Sequence, residues 1–419
     1  MSFDRRTFLK TGAALLAGSG AGCASTQGNS DALRASADAL LREGVQSGDL
    51  PGAVAAATTR SGAIYEAAFG QRVLGQAPAM SLDTVMWIAS MTKPVVGTAA
   101  MQLVEQGKLE LDAPAAKVIP ELANFQVIDG WEADGKVRTR PAKRAMTLRH
   151  LLTHTSGFVY DIWNADMARF VKVTNLPRAG SGRNIALQTP LAFDPGERWE
   201  YGIGIDWTGK MIEAVSGMRL GAYLTKNILE PLGMTSTAFK ITPDMRARLA
   251  KVHARGADGK LTVTAFEVPQ DPEFEPGGGG LYSTAQDYQR FIRMIMNDGR
   301  GNGNQVVRPQ TVELMSRNAM GPLRVNLLPS FNPALSRDAE FFPGLPKSWG
   351  LSFMINEETA PTGRSAGSLA WAGLANTYFW IDKRKNVGGV WMTQVLPFVD
   401  AKALSQFLAF EKAVYQTLG

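Results

Sequence analysis

Both ends of this 419-residue chain carry the same pair of elements, in mirror order. Near the N-terminus, Leu33, Ala37, Leu40 and Leu41 recur at helical spacing, which predicts an amphipathic helix over Asp31 to Gln46. Two short apolar runs follow, Gly52 to Thr59 and Ile64 to Phe69, divided by Arg60-Ser61-Gly62, and they read as a hairpin. At the other end, Asn376 to Ile381 and Val387 to Gln394 flank the basic turn Lys383-Arg384-Lys385, a second hairpin. The chain then closes on a helix capped by Asp400, with Leu404, Phe407, Leu408, Val414, Tyr415 and Leu418 along one face. Antiparallel strands drawn from both ends would share one sheet, which makes everything between them an insertion packed against it.

The middle of the chain has a different texture. From about residue 108 to 345, helical segments alternate with connections such as Ala113-Pro114, Asp194-Pro195-Gly196 and Glu275-Pro276 followed by Gly277 to Gly280. Met320 to Lys347 holds Pro322, Pro329, Pro333, Pro343 and Pro346 and little periodicity; a long loop of this kind reads as a site cover. Strand character returns at Trp349 to Ile355. The fold class is therefore α+β: an antiparallel sheet flanked by helices built from both termini, with a helical inserted region. Residues 31–419 form one unit, an α/β lobe of about 31–95 and 345–419 and a mainly helical lobe of about 96–344. No internal repeat is present.

Composition excludes some classes of function. With 45% hydrophobic and 20% charged residues the chain can bury a sizeable core, so disorder is not expected. Lys plus Arg exceed Asp plus Glu by 44 to 38, too small and too scattered an excess for a nucleic-acid partner. The first 24 residues read as an export signal: Arg5-Arg6-Thr7-Phe8-Leu9-Lys10, then the small apolar run Thr11 to Ala21, resemble the twin-arginine type. The expected location is the periplasm. The single cysteine, Cys23, follows Gly20-Ala21-Gly22 and is a candidate for lipidation, with cleavage after Ala24 the alternative. Lipidation there would be the sole membrane attachment, since no later stretch reaches about 18 uninterrupted apolar residues. Residues 25–30 read as a tether, and the chain implies no disulfide.

One tetrad carries chemistry. Ser90-Met91-Thr92-Lys93 is the only Ser-x-x-Lys in the chain, and at a helix start its two polar side chains fall on one face. A serine hydroxyl needs a base to take its proton, and a lysine serves only when burial or other cations lower its pKa. Alone the tetrad is weak, since about one or two arise by chance in a chain this long. Its company is stronger. Pro94 follows it, and then come Leu148-Arg149-His150-Leu151-Leu152-Thr153-His154-Thr155-Ser156-Gly157, Phe193-Asp194-Pro195-Gly196 before Trp199-Glu200-Tyr201, Leu229-Glu230-Pro231-Leu232-Gly233-Met234, and Gly277 to Thr284 ahead of Asp287.

In this order the motifs resemble the serine β-lactamase and D-Ala-D-Ala carboxypeptidase superfamily over essentially the whole mature chain. The resemblance implies a β-lactamase/transpeptidase-like fold and a serine hydrolase working through an acyl-enzyme on Ser90, with Lys93 and Tyr201 as catalytic partners. It also implies an oxyanion hole from the backbone N–H groups of Ser90 and Leu374. Two departures stand out: Ile203 replaces the asparagine of Tyr-x-Asn, and the third motif, Lys-Thr-Gly in the family, reads Trp371-Ala372-Gly373. Trp-x-Gly is similar to the branch called family VIII carboxylesterases, which implies neutral esters of small to medium acyl chains. Trp371 and Gly373, with Phe158 and Tyr160, are then candidates for substrate contact, although core packing is an equal reading of Phe158 and Tyr160.

The expected partner is a small-molecule ester, with no cofactor and no metal. His150 and His154 lie one turn apart as metal ligands would, yet Leu151 stands where a zinc-protease motif needs Glu, so a structural turn is the better reading. Gly363-Arg364-Ser365-Ala366-Gly367 fits the nucleophile-elbow pattern but lacks the required strand before it and helix after it. Three alternatives remain from the sequence: a β-lactamase or D,D-peptidase, an acyltransferase, and a non-catalytic envelope-binding lipoprotein on the same scaffold. The sequence leaves the oligomeric state open.

Overall fold

The computed structural model describes residues 20–418, and side chains from residue 30 onward. Residues 1–19 of the export signal read at 1–24, with the side chain of Cys23, lie outside what is described. The tether read at 25–30 is instead part of helix α1, Gly20–Gln46. A helix docked through Leu33, Ala37 and Leu41 extends backward at little cost through residues that lack proline.

Seven strands form the main sheet: β1 Gly52–Thr58, β2 Ala63–Gly70, β3 Lys347–Trp349, β4 Met354–Asn356, β5 Leu369–Gly373, β6 Thr377–Asp382 and β7 Val387–Met392. Their spatial order is β3-β4-β5-β6-β7-β1-β2, and every neighbouring pair is antiparallel. Strands from the two ends thus share one sheet. β1 lies between β7 and β2, pairing Ala55 with Trp391 on one side and with Ala67 on the other. All seven of its residues are buried, which is why it reads as an uninterrupted run of small apolar residues rather than an alternating one.

Strand alternation decides what covers each face. Tyr378 and Trp380 of β6 pack on Phe407 of the C-terminal helix, Ala401–Thr417, while Phe379 between them packs on Tyr288 of the helix Ala285–Met296. Helix α1 lies beside the C-terminal helix on the first face. On the second face the helix 285–296 comes so close that a Cβ on Gly388 would meet Ile292 Cγ2 at 2.7 Å. The helix 285–296 lies within the stretch read as helical lobe, yet it packs on the sheet. The C-terminal helix is pinned from within: Arg364 and Thr362 bond Glu411, all three buried. Gly363 to Gly367 is therefore a loop that anchors this helix, and Leu418, read as part of its apolar face, is exposed.

Between the lobes runs α2, Thr92–Glu105, buried from Thr92 through Leu103 and apolar all round, as a helix at the centre of a large core must be. Helix α3, Gly204–Ser216, packs against it. The middle region is less purely helical than its sequence suggests. It also holds a hairpin of Gln126–Trp131 with Val137–Pro141, and a second of His253–Arg255 with Leu261–Val263 that pairs with Val395–Leu396. The single strand read at 349–355 is split into β3 and β4 by a tight turn, in which Gly350 N–H donates to Phe353 O and Ser352 takes φ +82°. The proline-rich stretch 320–347 is ordered against the helical lobe through Phe331 N–H to Ile162 O and Trp163 Nε1 to Ser336 Oγ.

Candidate active site

Ser90 is fixed by contacts on both sides of it. Before it, Trp87 pairs with Tyr282, its backbone is bonded at both N–H and C=O by the Gln394 amide, and its indole donates to Gly279 O at 2.7 Å. Ile88 N–H donates to Leu281 O. Ala89 then takes φ +43°, a left-handed conformation that costs a non-glycine residue about 1–2 kcal/mol. Ser90 follows on a tight turn, Ala89–Met91, and Tyr288 Oη bonds Met91 O at 3.0 Å as α2 begins. Gly373 at the end of β5 lies against the same turn: a Cβ there would stand 2.3 Å from Ile88 O and 2.2 Å from Thr377 Oγ1. That glycine brings the sheet edge up to the serine and leaves Leu374 beside it.

Lys93 is wholly buried, one turn along the helix. Its Nζ lies 3.0 Å from Ser90 Oγ, 3.1 Å from Tyr160 Oη and 2.6 Å from Gly278 O. A neutral amine has two N–H groups and one lone pair. With Tyr160 Oη and Gly278 O as partners for two N–H groups, the lone pair of the neutral form is left for Ser90 Oγ. Burial holds the Lys93 pKa below the ordinary lysine range, and Asp206 pulls it back up. The Asp206 carboxyl is buried in the first turn of α3, its Oδ1 accepting the Gly278 N–H at 2.9 Å, and burial pushes its pKa up against the pull of Lys93. Gly278 fits here only as glycine, because a Cβ would sit 2.4 Å from Asp206 Oδ2 and 2.8 Å from Tyr160 Oη.

Tyr201 stands over the amine, with Lys93 Nζ 4.5 Å from its ring centroid. Trp371 Nε1 donates to Tyr201 Oη at 2.8 Å. Burial pushes the Tyr201 phenol up, while the Ser90 hydroxyl and the Trp371 indole beside it pull it down. Behind Tyr201 an aromatic wall is closed by His154, Trp163 and Trp349, with centroids 4.5, 5.5 and 6.2 Å from its ring. His154 is buried in the left-handed region at φ +56°, and its Nδ1 accepts the Gly202 N–H. His150 closes a capping box with Thr147. Both histidines thus serve the turns that carry Tyr201.

Ser90 opens on a cavity of about 420 Å³. Trp87, Ile162, Phe266, Leu335, Leu374 and Leu396 give it apolar walls, and the cation among its lining residues is Arg178, held by Asp161 at 2.6 Å. Leu335 comes from the proline-rich stretch, which thereby contributes to the wall. The structure brings Ser90, Lys93, Tyr201, Tyr160 and Leu374 together. It does not bring Phe158, which is fully buried and packs on Phe125 and Trp207. Trp371 and Gly373, read as touching substrate, share the inward face of β5. One holds Tyr201 and the other meets the nucleophile turn, and neither lines the cavity. Sequence reasoning missed Asp206 altogether. Its only signal is a carboxylate inside the apolar run Gly202-Ile203-Gly204-Ile205-Asp206-Trp207, five residues beyond the tyrosine.

Comparison with known proteins agrees with this geometry. The family model described as Beta-lactamase matches residues 37–411. The monacolin J acid methylbutanoyltransferase of Aspergillus terreus is 32% identical over 395 residues, covering 90% of this chain and 94% of that one. The lovastatin esterase of Penicillium rubens is 31% identical, covering 88% and 94%. The solved structure of unliganded simvastatin synthase (LovD) from Aspergillus terreus superposes with a TM-score of 0.78 at 31% identity, covering 91% of this chain and 98% of that one. The chain belongs to the β-lactamase family of serine enzymes, within its group of acyl-transferring hydrolases and acyltransferases.

Proposed function

We propose that this chain cleaves carboxylic esters through an acyl-enzyme on Ser90. The observation that carries the reading is the position of Lys93 Nζ, 3.0 Å from Ser90 Oγ, with Tyr160 Oη and Gly278 O as its two other partners. In the proposed sequence Lys93 Nζ takes the Ser90 proton as Oγ bonds to the ester carbonyl carbon, and the carbonyl π pair moves to oxygen. The backbone N–H groups of Ser90 and Leu374 hold that oxyanion. The C–O bond to the alcohol then breaks, and Tyr201, recharged by the Lys93 ammonium, protonates the leaving oxygen. Water reverses these steps to release the acid.

The cavity favours neutral, apolar acyl groups, because its walls are hydrocarbon and its one lining cation is already paired. A β-lactam or D-Ala peptide carboxylate would look for a cation at residue 371, and finds an indole whose N–H is committed to Tyr201. The same apolar walls support a second reading, transfer of the acyl group to an acceptor other than water, and the name of the Aspergillus relative describes an acyl transfer. Intact-mass spectrometry after p-nitrophenyl butyrate, a fluorophosphonate and a penicillin tests the proposal. Nitrophenol release with one fluorophosphonate adduct, both lost in Ser90→Ala, is expected. Full turnover by Ser90→Ala, or a long-lived penicillin adduct with poor ester turnover, would overturn it. Added butanol that diverts product from acid to butyl ester would select the transferase reading.

A further inference from the structure

The buried acid of this site has no role in the steps above. Asp206 is 2% exposed, its Oδ1 is satisfied by the Gly278 N–H, and its Oδ2 has no hydrogen-bond partner. An unpartnered carboxylate oxygen in a core costs several kcal/mol unless an opposite charge faces it. The group placed to supply that charge, once protonated, is Lys93, which donates to the carbonyl of the very residue whose N–H holds Asp206. Gly278 is thus clamped between the two, and the absence of a Cβ on it leaves room for Asp206 Oδ2 and Tyr160 Oη on that side of the turn.

We propose that Asp206 is the positioning residue that holds the counter-charge for the Lys93 ammonium formed when Ser90 gives up its proton. The inference rests on the proposed acyl-enzyme chemistry and assigns the group that makes its base strong enough. When Ser90 Oγ bonds the carbonyl carbon, one proton moves from Oγ to Nζ, and the amine becomes a buried ammonium. Asp206, ionised above its own raised pKa, lies across Gly278 from that charge and gives up nothing. When the leaving oxygen departs, the proton returns through Tyr201 and the pair is again carboxylate and amine. Burial alone lowers the lysine, and Asp206 acts against it, so that Lys93 is neutral enough to accept a proton yet basic enough to take it. The other titratable groups facing the pair are Tyr160, Tyr201 and His154, and burial holds each of them neutral. Asp161, at the cavity wall, is occupied by Arg178.

The test is the pH dependence of kcat/KM for p-nitrophenyl butyrate and of the rate of fluorophosphonate labelling at Ser90, in the full chain and in Asp206→Asn and Asp206→Glu. Activity needs neutral Lys93, so it falls as pH drops through the lysine's apparent pKa. With the carboxylate gone the ammonium loses its counter-charge, and the acidic limb of Asp206→Asn moves to lower pH by about one unit or more. Its kcat falls about tenfold or more with KM little changed, and Asp206→Glu returns the limb toward the parent. A limb that stays where it was in folded, labelled Asp206→Asn overturns the proposal, since a residue that only braces the Gly278 turn would lower activity without moving it. If Asp206→Asn does not fold, ¹³C titration of the aspartate carboxyls in the parent and in Lys93→Gln decides. A resonance that titrates above the ordinary aspartate range and moves when Lys93 is replaced is expected, and no such resonance overturns it. A parent chain that neither turns over ester nor labels at Ser90 would instead refute the proposed function itself.

Discussion

Replacing Trp371 by Phe removes a single N–H from the site and keeps an aromatic ring in its place. The indole donates to Tyr201 Oη at 2.8 Å, and both residues are buried, so no water takes over the bond. A buried oxygen left without its donor costs about 1–3 kcal/mol. In the resting enzyme Tyr201 is neutral and bears part of that cost. As it hands its proton to the leaving oxygen its own oxygen gains negative charge, and the missing donor is felt most there. If the whole cost falls on the transition state, kcat/KM drops about 5- to 150-fold. The loss should appear in kcat rather than KM, because Trp371 does not line the cavity. The assay is steady-state hydrolysis of p-nitrophenyl butyrate, with a thermal melt alongside because the smaller ring leaves space against Trp349 and Phe341. A folded Trp371→Phe enzyme whose kcat stays within twofold of the parent, or whose defect lies wholly in KM, would refute the idea that this residue acts through Tyr201.

Two further outcomes follow from packing. Gly373→Ala puts a methyl group 2.3 Å from Ile88 O, a backbone atom of the nucleophile turn, so it should lower the melting temperature and slow fluorophosphonate labelling of Ser90 together; overpacking of this kind costs about 1–3 kcal/mol. Glu411→Ala leaves the Arg364 guanidinium buried without its acid and should destabilise the fold by about 3–5 kcal/mol in urea unfolding, with kcat of the surviving folded protein unchanged.

The hairpins at the two ends of the sheet and the pairing of Ser90 with Lys93 were legible in the sequence because each is written in short-range pattern. Hairpins at residues 52–70 and 377–392 announce themselves by apolar runs around a turn, and helices at both ends by periodicity. Three-residue spacing on a helix brings Lys93 to Ser90 whatever surrounds them. Tyr201 was legible only through the resemblance of its motif, and as an isolated tyrosine it would have read as core. The unread parts are those that depend on how distant segments meet. Trp371 is 170 residues from the tyrosine it supports, and Gly278 is 185 from the lysine it receives and 72 from Asp206. No local period marks such pairs.

Asp206 shows why. Along the chain it is one acid in an apolar helix start, indistinguishable from a solvated N-terminal carboxylate. Only when α3 packs beside α2 and the glycine turn closes over both does it become a buried charge facing Lys93. Phe158 shows the converse, an aromatic next to the site in sequence that the tertiary structure turns into the core. By itself, then, the sequence determined the terminal hairpins and helices and which side chains stand one turn apart, since these depend on neighbours along the chain. The tertiary structure decided which groups lose their water and which charge they face, and on those two properties the chemistry of Lys93 depends.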